Sequence, residues 1–299
     1  IDVIFPPAAM GAIIAVIGLE LAPVAANMAG LTGDNINMVN VAISMFTLAV
    51  GVIGSVAFRG FMSIIPILFG VVCGYVFAAI MGIVNFQPVI DAPWFQVPHF
   101  YAPVFDINAI MIIAPAALVV LAEHIGHLVV TGNIVDRDLI KDPGLSRSLF
   151  ADGLSNVISG FAGATPNTTY GENIGVMAIT KVYSTWVIGG AAVMAIILSF
   201  CGKLSELIHS IPVPVMGGIC ILLFGVIAAS GIRVLVERQV DYSKSSNLVM
   251  TSVIMIIGLS GAKISFGAFS VQGMVLATVV AIIMSLIFKL FESLHLLNE

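Results

Sequence analysis

Polar positions in this chain are sparse and clustered. Between them run ten apolar stretches, roughly 6–29, 38–58, 61–84, 107–130, 146–163, 169–183, 184–201, 212–232, 245–260 and 269–290. Each is bounded by charge, proline or a glycine/asparagine cluster. Most approach the ~20 residues with which an α-helix crosses a hydrocarbon core of about 30 Å. The sixth is too short, because a helix from Tyr170 to Tyr183 reaches only about 21 Å at about 1.5 Å per residue. The rest of that crossing falls to the run Ala164-Thr165-Pro166-Asn167-Thr168-Thr169, where Pro166 disfavours helix at the residue before it. The pattern predicts an all-α polytopic membrane protein with a broken strand-helix element near 165–183.

Composition points the same way. Hydrophobic residues make up 60% of the chain and charged residues 9%, with a mean hydropathy of +1.14; soluble domains carry about a quarter charged residues. The net charge of -5 is spread thinly and offers no basic patch to nucleic acid. Cys73, Cys201 and Cys220 each sit alone in an apolar stretch, as small core residues and not as a disulfide framework. The chain opens with Ile1 and Asp2 in place of Met, so a preceding N-terminal portion is expected.

Sorting the loops by crossing number gives the orientation. Even loops and the C-terminal tail hold Arg59, Arg137, Lys141, Arg147, Lys181, Arg233, Arg238, Lys244 and Lys289, whereas odd loops hold only Lys203 and Lys263. Cations collect on the cytoplasmic side, which places the C-terminus there. Pro6, Met10, Gly11 and Ile13 recur with the same spacing as Pro212, Met216, Gly217 and Ile219. If seven spans separate the two copies, they run in opposite directions, as in carriers built from inverted repeats. In a seven-span unit the first stretch is then the fifth element, and four earlier elements are absent from this chain.

Two clusters carry candidate chemistry. Glu172 follows the proline- and glycine-broken run, and a carboxylate at membrane depth persists mainly where it faces a polar cavity or a ligand. Glu123, His124 and His127 crowd the fourth stretch. Glu123 and His127 are four apart and share one helical face, with His124 turned about 100 degrees away. A solvated helix end is the plain structural alternative. Metal ligation by His124 and His127 is another, although the order Glu-His-x-x-His differs from the His-Glu-x-x-His of helical zinc proteases. Glu20 reads as a gating carboxylate or a hydrogen bond to a neighbouring helix. Asp152 and Asn156 read as packing support for the broken element, Gly70 and Gly74 as a close helix contact, and residues 85–106 as an external loop with an aromatic belt.

Glu172-Asn173-Ile174-Gly175 followed by Thr180-Lys181 resembles the signature of the nucleobase-ascorbate transporter family, also called nucleobase:cation symporter-2. Asn167-Thr168-Thr169-Tyr170-Gly171 and Ala122-Glu123-His124-Ile125-Gly126-His127 are similar to its bacterial uracil branch. Purine members tend to carry Gln where this chain has Glu172, which favours a pyrimidine. The resemblance implies a fourteen-span fold of two inverted seven-span repeats, of which about ten spans are present. It further implies gate-domain spans over 1–105, a substrate-binding core over 106–203 and gate-domain spans over 204–299, often in a homodimer through the gate domain.

By that resemblance Glu123 and Glu172 contact the base, the N–H of Gly171 serves a carbonyl, and His127 with Tyr170 connects the site to protons. Phe224, a possible gate aromatic, stands where the uracil branch has Tyr. The implied activity is proton-coupled uptake of uracil across the bacterial inner membrane, with no enzyme chemistry, metal or cofactor. The alternatives are a purine or small-anion carrier of the same architecture, separable by competition of uracil with xanthine, and an intramembrane metal enzyme, separable by zinc content. Residues 1–299 alone are expected to show no uracil uptake and to regain it when a matching four-span N-terminal portion is supplied; robust saturable uptake by the isolated chain contradicts this.

Overall fold

The computed structural model describes residues 5–33, 36–114, 116–266 and 269–296. Proline and short polar caps set several helix starts. α1 (Pro7–Glu20) opens on Pro6 and Pro7, where first-turn N–H groups lack an intrahelical partner in any case, and α2 (Ala22–Met28) continues past Leu21. The Asn37 side chain accepts from Val39 N at 2.9 Å to begin α3 (Met38–Ala57). A 3-10 turn over Gly60–Ile64 leads into α4 (Pro66–Ile80), and α5 (Gln87–Asp91) lies in the following loop. Asp106 caps α6 (Ile107–Ile113), accepting from Asn108 N at 2.7 Å. α7 (Ala116–Val135), α8 (Leu145–Phe161), α9 (Glu172–Thr180), α10 (Thr185–Ser199), α11 (Gly202–His209), α12 (Val213–Glu237) and α13 (Ser245–Leu259) follow. An antiparallel hairpin, β1 (Lys263–Phe266) and β2 (Phe269–Gln272), pairs Lys263 with Gln272 ahead of α14 (Gly273–Ser293).

The architecture is mainly helical, and the hairpin corrects the all-α expectation. Residues 269–272, expected at the start of a helical stretch, are strand instead. The stretch 184–201 continues past a bend of 89° into α11. Among the described residues four helices are long and apolar enough to cross a membrane, and this bent pair makes a fifth. α4 and α13 are apolar but shorter. The expected helix from Tyr170 to Tyr183 is also shorter: Lys181 adopts a left-handed φ of 55° and closes α9 with its N–H on Met177 O at 2.8 Å.

The chain divides into two compact units. The first comprises Ile1–Ala22, Ala102–Tyr170 and Phe224–Glu299. Its core mixes small side chains with larger aliphatic ones, with Ala8, Ala12 and Val16 of α1 packed with Ile254 of α13 and Ala277 and Ala281 of α14. A methyl group added at Gly258 would collide with Val16, and one at Gly231 with the backbone at Ala15. Spans pack by van der Waals contact, so these small residues set how closely the backbones approach.

The second unit comprises Pro23–Tyr101 and Gly171–Leu223. Gly70 and Gly74 of α4 lie against Gly51 and Thr47 of α3, as their spacing predicts. Ser44 Oγ donates to Ala29 O at 2.7 Å. The aromatic loop is anchored to the bend between α10 and α11: Gln96 N donates to Phe200 O at 2.8 Å, and Phe95 stacks on Phe200. Lys203 donates to Val89 O and Ile90 O at 3.1 and 3.0 Å and lies 5.6 Å above the Trp94 ring. α10 is exposed along its length, as an apolar helix facing lipid or another span is.

Glu20, half-buried at the end of α1, caps a distant helix within the first unit. Its Oε2 accepts from Met274 N at 2.8 Å, in the first turn of α14, where a carboxylate also meets the positive end of the helix dipole. Gly273 has a φ of 55° and its Cα lies against the carboxylate, leaving no room for a Cβ. Glu20→Ala is expected to cost about 1–2 kcal/mol of stability through the lost cap. Gly273→Ala should cost more, and Glu20→Gln, which keeps an acceptor, less. Unfolding in detergent measures the order; a Gly273→Ala variant as stable as the parent contradicts it.

Candidate functional site

An extended segment inside a membrane protein must have its backbone groups satisfied by the protein itself. Residues 164–170, between α8 and α9, are irregular and join no strand. One side chain on α8 meets the need at their centre. Asn156 Oδ1 accepts from Asn167 N at 2.8 Å, while Asn156 Nδ2 donates to Asn167 O at 2.9 Å and to Asp152 O at 3.1 Å. The amide thus pairs with both polar groups of one residue, as a neighbouring strand would. Ser155 Oγ adds a bond to Asn167 Oδ1 at 3.0 Å. Asp152 and Asn156 therefore do support the broken element, Asp152 through its carbonyl.

The next two residues reach α7. Thr168 Oγ1 donates to Glu123 Oε2 at 3.4 Å, a long and weak bond, and Thr169 Oγ1 lies 3.0 Å from His127 Nδ1. Glu123 and His127 are both half-buried and both turned toward the run, as their spacing of four predicts. His124 takes the other direction. It is 3% exposed, its Nε2 is 2.7 Å from Ser148 Oγ on α8, and its Nδ1 has no hydrogen-bond partner. The two histidines thus serve separate contacts. Among the described residues no group of three or more His, Cys, Asp or Glu is arranged to hold a metal ion.

The division between the units falls at the Tyr170–Gly171 peptide, so Glu123, His127 and Tyr170 belong to the first unit and Gly171 and Glu172 to the second. Tyr170 is exposed, and Gly171 is the N-cap of α9 with no side-chain cap bond. The first-turn N–H groups of such a helix are available to an acceptor, at the positive end of the dipole. Glu172 is the first residue of α9; its side chain lies outside the described residues. Phe224 is half-buried on α12, its carbonyl close against Gly18, and is not part of the hydrogen-bonded group around α7.

A family model described as "Permease family" (Xan_ur_permease) matches residues 1–266. The chain belongs to that family. The uracil permease of Escherichia coli K12 is 64% identical over 99% of this chain and 70% of that protein. The uracil permease of Paenibacillus larvae is 60% identical over 100% of this chain and 72% of that protein. The uracil permease of Bacillus subtilis 168 is 47% identical over 95% of this chain and 68% of that protein. These are permeases, proteins of transport and not enzymes.

The spacing of four placed Glu123 with His127 on one face, but the sequence named no partner for either or for His124. Thr168 and Thr169 lie in the run Asn167-Thr168-Thr169-Tyr170-Gly171, whose sequence assigns them no role, and Ser148 carries no signal beyond lying on the helix after the His124 cluster. Ser148→Ala leaves the buried His124 ring without its one partner and is expected to cost about 1–3 kcal/mol of stability. The pair His124→Leu with Ser148→Ala, which removes both polar partners, should be closer to the parent. Unfolding of the two variants side by side checks this, and equal or greater loss in the pair contradicts it.

Proposed function

We propose that this permease takes up uracil across the bacterial cytoplasmic membrane in symport with a proton. The observation that carries the reading is the irregular run whose Thr169 bonds His127 and whose Thr168 reaches Glu123 on the same face of α7, in a chain that matches named uracil permeases at 60–64% identity over nearly its whole length. Uracil alternates N–H donors with C=O acceptors. Carboxylates take N–H groups in charge-assisted bonds, which suits Glu123 and Glu172, and the Gly171 N–H at the start of α9 suits a carbonyl oxygen. His127, one turn from Glu123, has the chemistry of a proton relay, with Tyr170 beside the run as its companion. Phe224 serves as a gate aromatic.

The larger scheme belongs to the same proposal. Two inverted seven-span repeats supply gate-domain spans over 1–105 and 204–299 and a core over 106–203, with the C-terminus in the cytoplasm. Gate domains pair in a homodimer, and exposed apolar helices such as α10 face lipid or neighbouring spans. The alternation of the site between the two sides is proton-coupled, because a carboxylate or imidazole that leaves a desolvated pocket changes its preference for the charged form.

In a transport-competent form of the protein, Glu123→Ala and Glu172→Gln are each expected to lower uracil affinity on the order of a thousandfold, since a charged partner is lost in a desolvated site. Near-normal affinity in Glu123→Ala removes that residue from the site. His127→Ala should still bind uracil while losing proton-driven accumulation. Uptake in proteoliposomes with and without an imposed pH gradient measures it; unchanged accumulation and pH dependence contradict the coupling role.

A further inference from the structure

A short polar side chain on a helix that pairs with both the N–H and the C=O of one residue in a neighbouring segment fixes that segment in register. Asn156 does this. Its one acceptor and both donors are engaged, two of the three bonds go to a single residue of the extended run, and the third returns to Asp152 O on its own helix. The run then proceeds directly to the two threonines bonded to Glu123 and His127. A slip of the run by one residue would shift Thr168 and Thr169 along it by about 3.3 Å, out of step with His127 and Glu123.

We propose that Asn156 is a positioning residue for substrate selection: its amide acts as a surrogate strand that sets the register of residues 167–169, and through them the placement of Glu123 and His127. The proposal rests on the reading of those two residues as the site for a nucleobase. Ser155 has a lesser part, since it touches only the Asn167 side chain. Asn156→Ala removes all three bonds. Asn156→Asp keeps the acceptor for Asn167 N and removes the donors, and is the variant to use if Asn156→Ala is poorly folded.

Two readouts in the transport-competent protein test this. Hydrogen–deuterium exchange needs no substrate: Asn156→Ala should speed exchange in the peptide containing Asn167 about tenfold, with Asn156→Asp between it and the parent and Ser155→Ala at the parental rate. Uptake competition reads selection: both Asn156 variants should bind uracil about threefold to tenfold more weakly, a hydrogen bond's worth, and should narrow the preference for uracil over thymine by a similar factor. Parental exchange at Asn167 overturns the register role. Faster exchange with an unchanged uracil-to-thymine ratio overturns the link to selection. A parent protein that neither binds nor carries uracil overturns the substrate reading instead, and the exchange result still decides the register.

Discussion

The structure around the candidate site depends on one requirement: peptide groups within a membrane crossing have to find partners inside the protein, at a cost of several kcal/mol for each that does not. A helix meets it automatically. The segment 164–170 gives that up, with Pro166 lacking an N–H and no neighbouring strand in place. The Asn156 amide replaces the missing neighbour at Asn167. The same economy recurs elsewhere in the first unit, where the Glu20 carboxylate satisfies an N–H at the start of α14.

The broken element frees side chains and N–H groups that a continuous helix would engage internally. Threonine hydroxyls at 168 and 169, which an unbroken helix would most readily turn back on its own carbonyls, instead reach Glu123 and His127 on α7. The beginning of α9 offers uncapped N–H groups at Gly171. An ionisable side chain in a span is expensive, and the three on α7 are given distinct surroundings, His124 toward Ser148 and the other two toward the run. This separation sets the two groups proposed for transport on one face of α7 and a packing contact on the other.

The sequence discloses part of this by local rules. Pro166 and the shortness of 169–183 mark the break, a spacing of four places Glu123 with His127, and glycines four apart mark the contact of α3 with α4. These features depend on neighbours along the chain. The rest depends on partners brought together by folding: Glu20 and Met274 are 254 residues apart, and Thr169 and His127 are 42 apart. The hairpin at 263–272 is hidden because its second strand reads equally well as the start of the following helix, a common ambiguity of short apolar runs, and its first falls between two apolar stretches. The bend between α10 and α11 was also missed, since an apolar stretch ending at Cys201 carries no sign that another helix starts at Gly202.

Protection of a single engineered thiol tests the central claim most directly, that Glu123 and His127 beside the run 167–169 are where the base is proposed to bind. In a transport-competent protein with Cys73, Cys201 and Cys220 replaced by serine, Thr168→Cys would be treated with a small thiol reagent in the presence and absence of uracil. The account predicts that saturating uracil slows labelling at least several-fold, and that a non-binding purine does not. A labelling rate indifferent to uracil, in a protein shown in the same preparation to bind it, would place the pocket elsewhere and contradict the account.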